Sequence, residues 1–345
     1  MRQIFWQLLT GLLGLGLFSG PTLAQHGPDW PDWAYGLLEP LSADSRVSPP
    51  CPDGSRPIDC AYQGTPVPDD GIKRSLPDTD RTFTRNEAYY NYGPADWYPG
   101  DHPEMPDIVA HGKESAGLRA CALCHYPNGQ GKMENGHVAG LTATYFLQQL
   151  EAFATGKRRS ADPRKANTNE MAMIAAGLTD AERREIAAYY ASIPFQQMVR
   201  VVESEEAPQV RTTSNGLMLP IEGAPHVPLG MRVVEIPEEA DLTELSRDPR
   251  GKWITYAPPG SLAAGEALVS TGEGRTVQCG TCHGPGMTGL ADFPSIAGRT
   301  ASYTMRQLWD FKQGTRQSPI MQPIVAQLTA EDMLYISVYL ASLQP

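Results

Sequence analysis

The pentapeptide Cys121-Ala-Leu-Cys-His125 returns 158 residues later as Cys279-Gly-Thr-Cys-His283, and the likeness runs well past the cysteines. Laying residues 121–156 on 279–314 without a gap gives 14 identities in 36 positions. Ala139-Gly140, Tyr145, Gln149-Leu150 and Phe153 fall on Ala297-Gly298, Tyr303, Gln307-Leu308 and Phe311. Eight extra residues in the first copy then shift the offset to 150, where Met171 faces Met321, Leu178-Thr179 faces Leu328-Thr329 and Tyr189 faces Tyr339. Such a duplication constrains the chain strongly, because the same small core must be built twice and everything else must fit around the two copies.

Each copy has a helical period. Tyr145, Phe146, Leu150 and Phe153 form one stripe of a helix opening near Thr142, and the counterpart opens at Thr300. Thr179-Asp-Ala-Glu182 has capping-box spacing, in which hydroxyl and carboxylate satisfy free backbone N–H groups. Ile186, Tyr189, Tyr190 and Ile193 then give the last helix its apolar face, matched by Ile336, Tyr339, Leu340 and Leu343 behind Thr329.

The rest of the chain differs in kind. Residues 1–24 carry Arg2, an apolar run from Ile4 to Phe18 and the small-residue ending Thr22-Leu23-Ala24, the pattern of a secretory signal cleaved after Ala24. The apolar run is short of the roughly 20 residues that span a bilayer, so no transmembrane segment is expected after its removal. Residues 25–105, rich in Pro, Gly, Trp and Tyr, read as an irregular arm that buries aromatics against the first copy. The copies occupy 106–195 and 259–345. Between them, residues 196–258 hold two similar β-branched runs, "MVRVVESEEAP" and "MRVVEIPEEA", expected to pair as short strands. The fold class is therefore mainly α: two small helical domains, an irregular arm and a short-stranded connector.

Export matters for the cysteines, because unpaired thiols in an oxidising compartment tend to become disulfides unless other chemistry takes them. It also matters for charge. Losing Arg2 turns 28 basic side chains into 27 against 39 acidic ones, −12 in all. Such a surface excludes nucleic acid and favours basic docking surfaces on protein partners.

Residues three apart on a helical turn project to one side, so Cys121 and Cys124 can each form a thioether with one vinyl group of a haem. His125 then directs an imidazole nitrogen at the iron. Cys279, Cys282 and His283 repeat the arrangement. A redox-active C-x-x-C pair has no need of the histidine, and a zinc site would need two further ligands near each pair. Two covalently bound haem c groups are the expectation. A sixth ligand decides between carrier and enzyme, and Met171 and Met321 stand at equivalent points, eight residues before the capping threonine of the last helix. A thioether there favours reduced iron. Met133 and Met287 are too near their histidines to reach the opposite face, and the rival Met173 faces Pro323.

These residues resemble the tandem dihaem class I cytochromes c of bacterial periplasms, of the c4 kind, over "CALCH", "VAGLTATYFLQQLEAFATGKR" and "NEMAMIAAGLTDAERREIAAYYASI" and their second-copy counterparts. The resemblance covers roughly 106–195 and 259–345. It implies all-helical haem domains, axial His125/Met171 and His283/Met321 pairs and single-electron transfer between neighbouring haems. It also implies a proline carbonyl orienting the proximal histidine; Pro294 matches, and the first copy has Gly136. The arm and the long connector depart from that family's pattern and leave room for docking a dehydrogenase, an oxidase or another cytochrome. A dihaem peroxidase-like or thiosulfate-oxidising enzyme is the alternative reading, and a non-catalytic docking subunit of a dehydrogenase complex a third.

Other residues are less distinctive. Cys51 and Cys60 flank the turn-rich "PDGSRPID" and are expected to form a local disulfide. His102, His111, His137 and His226 are each read as surface or hydrogen-bonded residues. Lys157-Arg158-Arg159 is a basic cluster on an acidic chain, either a solvated loop or a contact for an acidic partner or a haem propionate.

Overall fold

The computed structural model describes residues 30–36, 70–213 and 216–345. The expected cleavage site after Ala24 and the expected Cys51–Cys60 bridge lie outside the described residues. Of the described residues, all but Trp30 belong to one contact unit, residues 31–345.

After a one-turn 3-10 helix at Asp32–Tyr35, the arm forms a two-residue hairpin, β1 (Arg74–Ser75) with β2 (Thr82–Phe83), and a short helix α1 (Arg85–Ala88). Leu76, Ala88, Ala95, Trp97 and Tyr98 make its own small core, closed by Leu242 of the connector. The arm, expected to bury its aromatics against the first copy, reaches the second copy at its start. Tyr35 donates its hydroxyl to Asp310 Oδ1 at 2.8 Å, and the Ala34 carbonyl accepts from Arg306 at 2.5 Å, both residues of the second copy. Aromatic content foretold burial there, whereas the polar tips chose the surface.

The first copy contains α2 (Asp107–Ala110), α3 (Cys121–His125), α4 (Ala143–Ala154), α5 (Ala166–Gly177) and α6 (Asp180–Ala191). Thr142 caps α4 through the Tyr145 N–H, and Thr179 and Glu182 form the expected capping box of α6. Phe146, Leu150, Ile174, Ile186, Tyr190 and Ile193 meet in its core. The second copy contains α7 (Ser261–Thr271), α8 (Gly280–His283), α9 (Ala301–Lys312), α10 (Met321–Val325) and α11 (Ala330–Ser342), the last boxed by Thr329 and Asp332. Gly265 lets α7 lie directly on α11, since a Cβ there would overlap the Tyr335 carbonyl.

In the connector, β3 (Val199–Glu203) is followed by β4 (Glu206–Pro208), β5 (Val210–Thr212), β6 (Met218–Pro220), β7 (His226–Pro228), β8 (Val234–Pro237) and β9 (Trp253–Ala257). The two β-branched runs do not pair with each other. β9 lies between them, parallel to β3 and antiparallel to β8, in the order β3-β9-β8. Inserting the central strand gives both runs a full backbone ladder and leaves each with one edge only. The described residues are thus mainly helical with several small sheets.

Candidate functional site

Cys121 and Cys124 sit on α3 with His125 at its last turn, and Cys279 precedes α8, which carries Cys282 and His283. None of these four cysteines is in a disulfide, which leaves every sulfur available for a thioether. Burial pushes the Cys121 thiol up to about 12 and Cys279 up to about 11, so neither is set up as a free thiolate nucleophile. His125 Nδ1 lies 2.8 Å from the Gly136 carbonyl, and His283 Nδ1 lies 2.8 Å from the Pro294 carbonyl. A carbonyl can only accept, so Nδ1 carries the proton in both rings and Nε2 keeps its lone pair for a metal. Burial lowers both imidazoles from their ordinary value, which keeps that lone pair available at neutral pH.

Both motifs open on one continuous cavity of about 620 Å³. Cys121, Cys124, His125 and Met171 line it with Cys279, Cys282, His283 and Met321, together with Phe146, Leu150 and Tyr190 of the first copy and Ile324 and Leu340 of the second. Met173 is not part of the wall. The size falls in the roughly 300–1,000 Å³ range of cofactor pockets. Seven Lys and Arg side chains line it against four carboxylates, Glu134, Glu170, Asp292 and Asp310, although the chain as a whole is acidic. Thiol pairs, a histidine with a free Nε2, apolar walls and surplus positive charge fit a haem with its two propionates at each motif.

The cationic seam has a pseudo-twofold pattern that sequence reasoning missed. Arg158 reaches from the first copy to Gln307 Oε1 at 2.8 Å and to the Tyr303 hydroxyl at 3.3 Å. Arg316 reaches back to Gln149 Oε1 at 2.9 Å and to the Tyr145 hydroxyl at 2.6 Å. Backbone bonds flank the pair, from Arg159 N–H to the Thr315 carbonyl at 2.8 Å and from Gln317 N–H to the Lys157 carbonyl at 2.7 Å. The available signal was the identity of Arg158 and Arg316 at the same 158-residue offset, beside the matched tyrosines and glutamines. Arg299 donates to the His137 and Ala139 carbonyls at 2.8 and 3.3 Å, adding a buried cation with neutral partners. Burial pushes Tyr303 up, but Arg158, Arg316 and Arg299 outweigh it and leave the phenol lowered.

Among the described residues His102, His111 and His137 are hydrogen-bonded and His226 is exposed. His137 is buried between the copies, and His102 pairs with Asp96 at 3.2 Å. His111 meets the Tyr92 carbonyl at 3.1 Å, and His226 packs edge-on to Tyr256.

Residues 109–194 match the family described as cytochrome c. Cytochrome c4 of Pseudomonas aeruginosa is 28% identical over 233 residues, 65% of this chain and 83% of that protein. The cytochrome subunit of sulfide dehydrogenase from Chlorobaculum tepidum is 32% identical over 91 residues, 26% of this chain and 83% of that protein. The thiosulfate dehydrogenase electron acceptor of Stutzerimonas stutzeri is 43% identical over 75 residues, 21% of this chain and only 35% of that protein.

Proposed function

The chain belongs to the cytochrome c family, and on that premise we propose that it is an exported, periplasmic carrier that takes single electrons from a dehydrogenase or similar donor and passes them to a downstream carrier or terminal oxidase. Two covalently bound haem c groups supply the one-electron chemistry. The protein's part is placement. In this reading Cys121, Cys124, Cys279 and Cys282 would hold the thioether bonds, and His125 and Met171, like His283 and Met321, would supply the iron ligands. The carbonyls of Gly136 and Pro294 fix each imidazole's tautomer and orientation, while the apolar wall excludes water and lowers the reorganisation that accompanies a change of charge. The domain limits 106–195 and 259–345 belong to the same proposal.

The observation that supports it best is the single cavity reached by both cysteine-histidine sets. Two centres sharing one cavity can exchange an electron through it without passing it across bulk solvent. A redox-coupled optical spectrum of the exported protein tests the reading. Two low-spin haems with histidine-methionine signatures are expected, and replacing Met171 or Met321 should lower the potential of one haem at a time. A high-spin, peroxide-reactive haem would instead indicate the enzymatic alternative. The names of two relatives, an electron acceptor of thiosulfate dehydrogenase and a subunit of sulfide dehydrogenase, favour a dehydrogenase of inorganic sulfur compounds as donor. Among the described residues no helix is long and apolar enough to cross a membrane.

A further inference from the structure

At three equivalent positions the copies exchange buried charge for exposed hydrocarbon. Arg119, Lys132 and Glu170 of the first copy are 9%, 3% and 2% exposed, whereas Val277, Leu290 and Ile320, which stand in their places, are 49%, 52% and 51% exposed. In the first copy these charges are internally paired. Arg119 Nε lies 3.5 Å from Glu170 Oε1, and Lys132 Nζ lies 2.8 Å from Glu134 Oε1.

The arm and the connector account for the burial. The Asn91 carbonyl accepts from the Ala120 N–H at 2.9 Å, just before Cys121. Arg247 donates to the Ala88 carbonyl at 2.9 Å and to the Ala122 carbonyl at 3.4 Å, with its guanidinium 5.2 and 5.1 Å from the Tyr89 and Tyr126 ring centres. Asn128 donates to the Pro249 carbonyl at 2.9 Å. Tyr126 itself is held at φ 64, where the second copy has Gly284 at φ 77, so the cover sustains a backbone conformation that costs a side-chain-bearing residue energy. The cysteine-bearing edge of the first copy is therefore roofed over.

The corresponding edge of the second copy is open. Val277 and Ile320 line the shared cavity beside Cys279, Cys282 and Met321. Residues 276–298 contain one carboxylate, Asp292, and no Lys or Arg, and residues 317–330 contain no charged side chain. On a chain of formal charge −11 these two segments give a largely apolar rim, although Lys157, Arg158, Arg159 and Arg316 line the cavity it opens on and the Arg275–Glu273 pair stands beside Val277. A charged face brought against the rim would lose hydration for little return, while an apolar face would release water from both sides.

We propose that the protein exchanges electrons with its partners at this second mouth, and that the occupant is a single-electron carrier whose redox centre opens on an apolar, uncharged face. The proposal rests on the carrier reading above. The transfer makes and breaks no bond: the partner's reduced metal centre loses one electron, and this protein gains it at the second site. The first site communicates only through the cavity it shares with the second. The acidic remainder of the surface steers partners with basic rims at long range, and the mouth selects at contact.

The test uses the haem-loaded full chain, mixed in stopped flow with a reduced blue-copper protein whose metal edge opens on an apolar patch. Val277→Glu and Ile320→Glu are each expected to lower the second-order rate constant by about tenfold or more, at high salt as well as low. Leu290→Glu, outside the cavity wall, should do the same, while Tyr90→Glu, on the arm, should leave the rate unchanged. Optical spectra of the variants serve as the control for intact sites, and rates are compared after correction for the change in midpoint potential that an added carboxylate brings. Parental rates in all three mouth variants, or a loss confined to Tyr90→Glu, would overturn the docking assignment. Neither result touches the carrier reading, which fails separately if the parent lacks low-spin haem absorption.

Discussion

The Nε2 of His137 lies 2.8 Å from the Thr300 hydroxyl, so an imidazole of the first copy is held by the residue that starts the long helix of the second. Its Nδ1 faces the Gln130 carbonyl, which can only accept, so Nε2 is the acceptor and Thr300 donates. Burial pushes this imidazole down to about 3, so it is neutral at neutral pH. Removing the ring leaves a buried hydroxyl without its acceptor and a void beside Phe195 and Tyr303, whose ring centres are 5.6 and 5.8 Å away. His137→Ala should therefore cost about 2–4 kcal/mol. His137→Gln, which restores an acceptor, should recover part of that in guanidinium unfolding of the haem-loaded protein.

Thr300 is consequently absent from the cap of α9, where its counterpart Thr142 caps α4. Glu235 from β8 fills the vacancy. Its carboxylate accepts from the Ala301 and Ser302 N–H groups at 2.9 and 3.2 Å and from the Thr255 hydroxyl at 2.7 Å, as well as from the Ser302 hydroxyl. One buried side chain thus ties the connector sheet to the second copy. Glu235→Ala should destabilise by about 2–3 kcal/mol, beyond an ordinary cap, because several buried donors lose their acceptor together. Thermal unfolding checks this, and a loss under about 0.5 kcal/mol would mean that water replaces the carboxylate.

The crossed arginines should tune the redox centres. A cation beside a haem favours the form with less positive charge, so deleting one lowers the potential. Arg158→Gln and Arg316→Gln are each expected to lower at least one midpoint potential by on the order of tens of millivolts, with the optical spectrum preserved. Spectroelectrochemistry reads both quantities. Unchanged potentials in both variants would leave the pair with only the work of joining the copies.

Local signals carried much of this fold, and long-range choices carried the surprises. Thr142, Thr179 and Thr329 mark helix starts because a cap is settled within four residues. The stripe of Phe146, Leu150 and Phe153 gave the buried face of α4 for the same reason. Nothing local told Val199–Glu203 and Val234–Pro237 that Trp253–Ala257 would come between them, since all three runs make acceptable neighbours for one another. Nor did composition reveal that Arg158 would be half-buried: its fate depends on Gln307 and Tyr303, some 150 residues away. At the site, the anchoring motifs could be read directly and the Pro294 carbonyl followed from the family resemblance, while the roof over the first copy could not be read, because Arg247 gains its meaning only from Ala88, Ala122 and Tyr126.

That roof should loosen with rising pH. His102, in the arm, lies 3.2 Å from Asp96 and 2.7 Å from the Pro103 carbonyl, and its ring packs edge-on against Tyr189 of α6 at 6.3 Å. Burial alone would lower its pKa, yet the Asp96 contact and the Pro103 carbonyl outweigh it and the net shift is upward. A group with a raised folded pKa contributes fully below its unfolded value, about 6.5 for histidine, and the contribution fades as pH rises through the folded value. Arg81, 3.7 Å from Asp96, keeps part of the attraction when the imidazole is neutral. The half-buried setting limits the effect to under about 1 kcal/mol. Amide exchange over residues 96–103 should accordingly quicken severalfold between about pH 5.5 and about pH 8, after correction for intrinsic rates, and His102→Gln should flatten the profile. An equally steep profile in the variant would assign the pH response to another group.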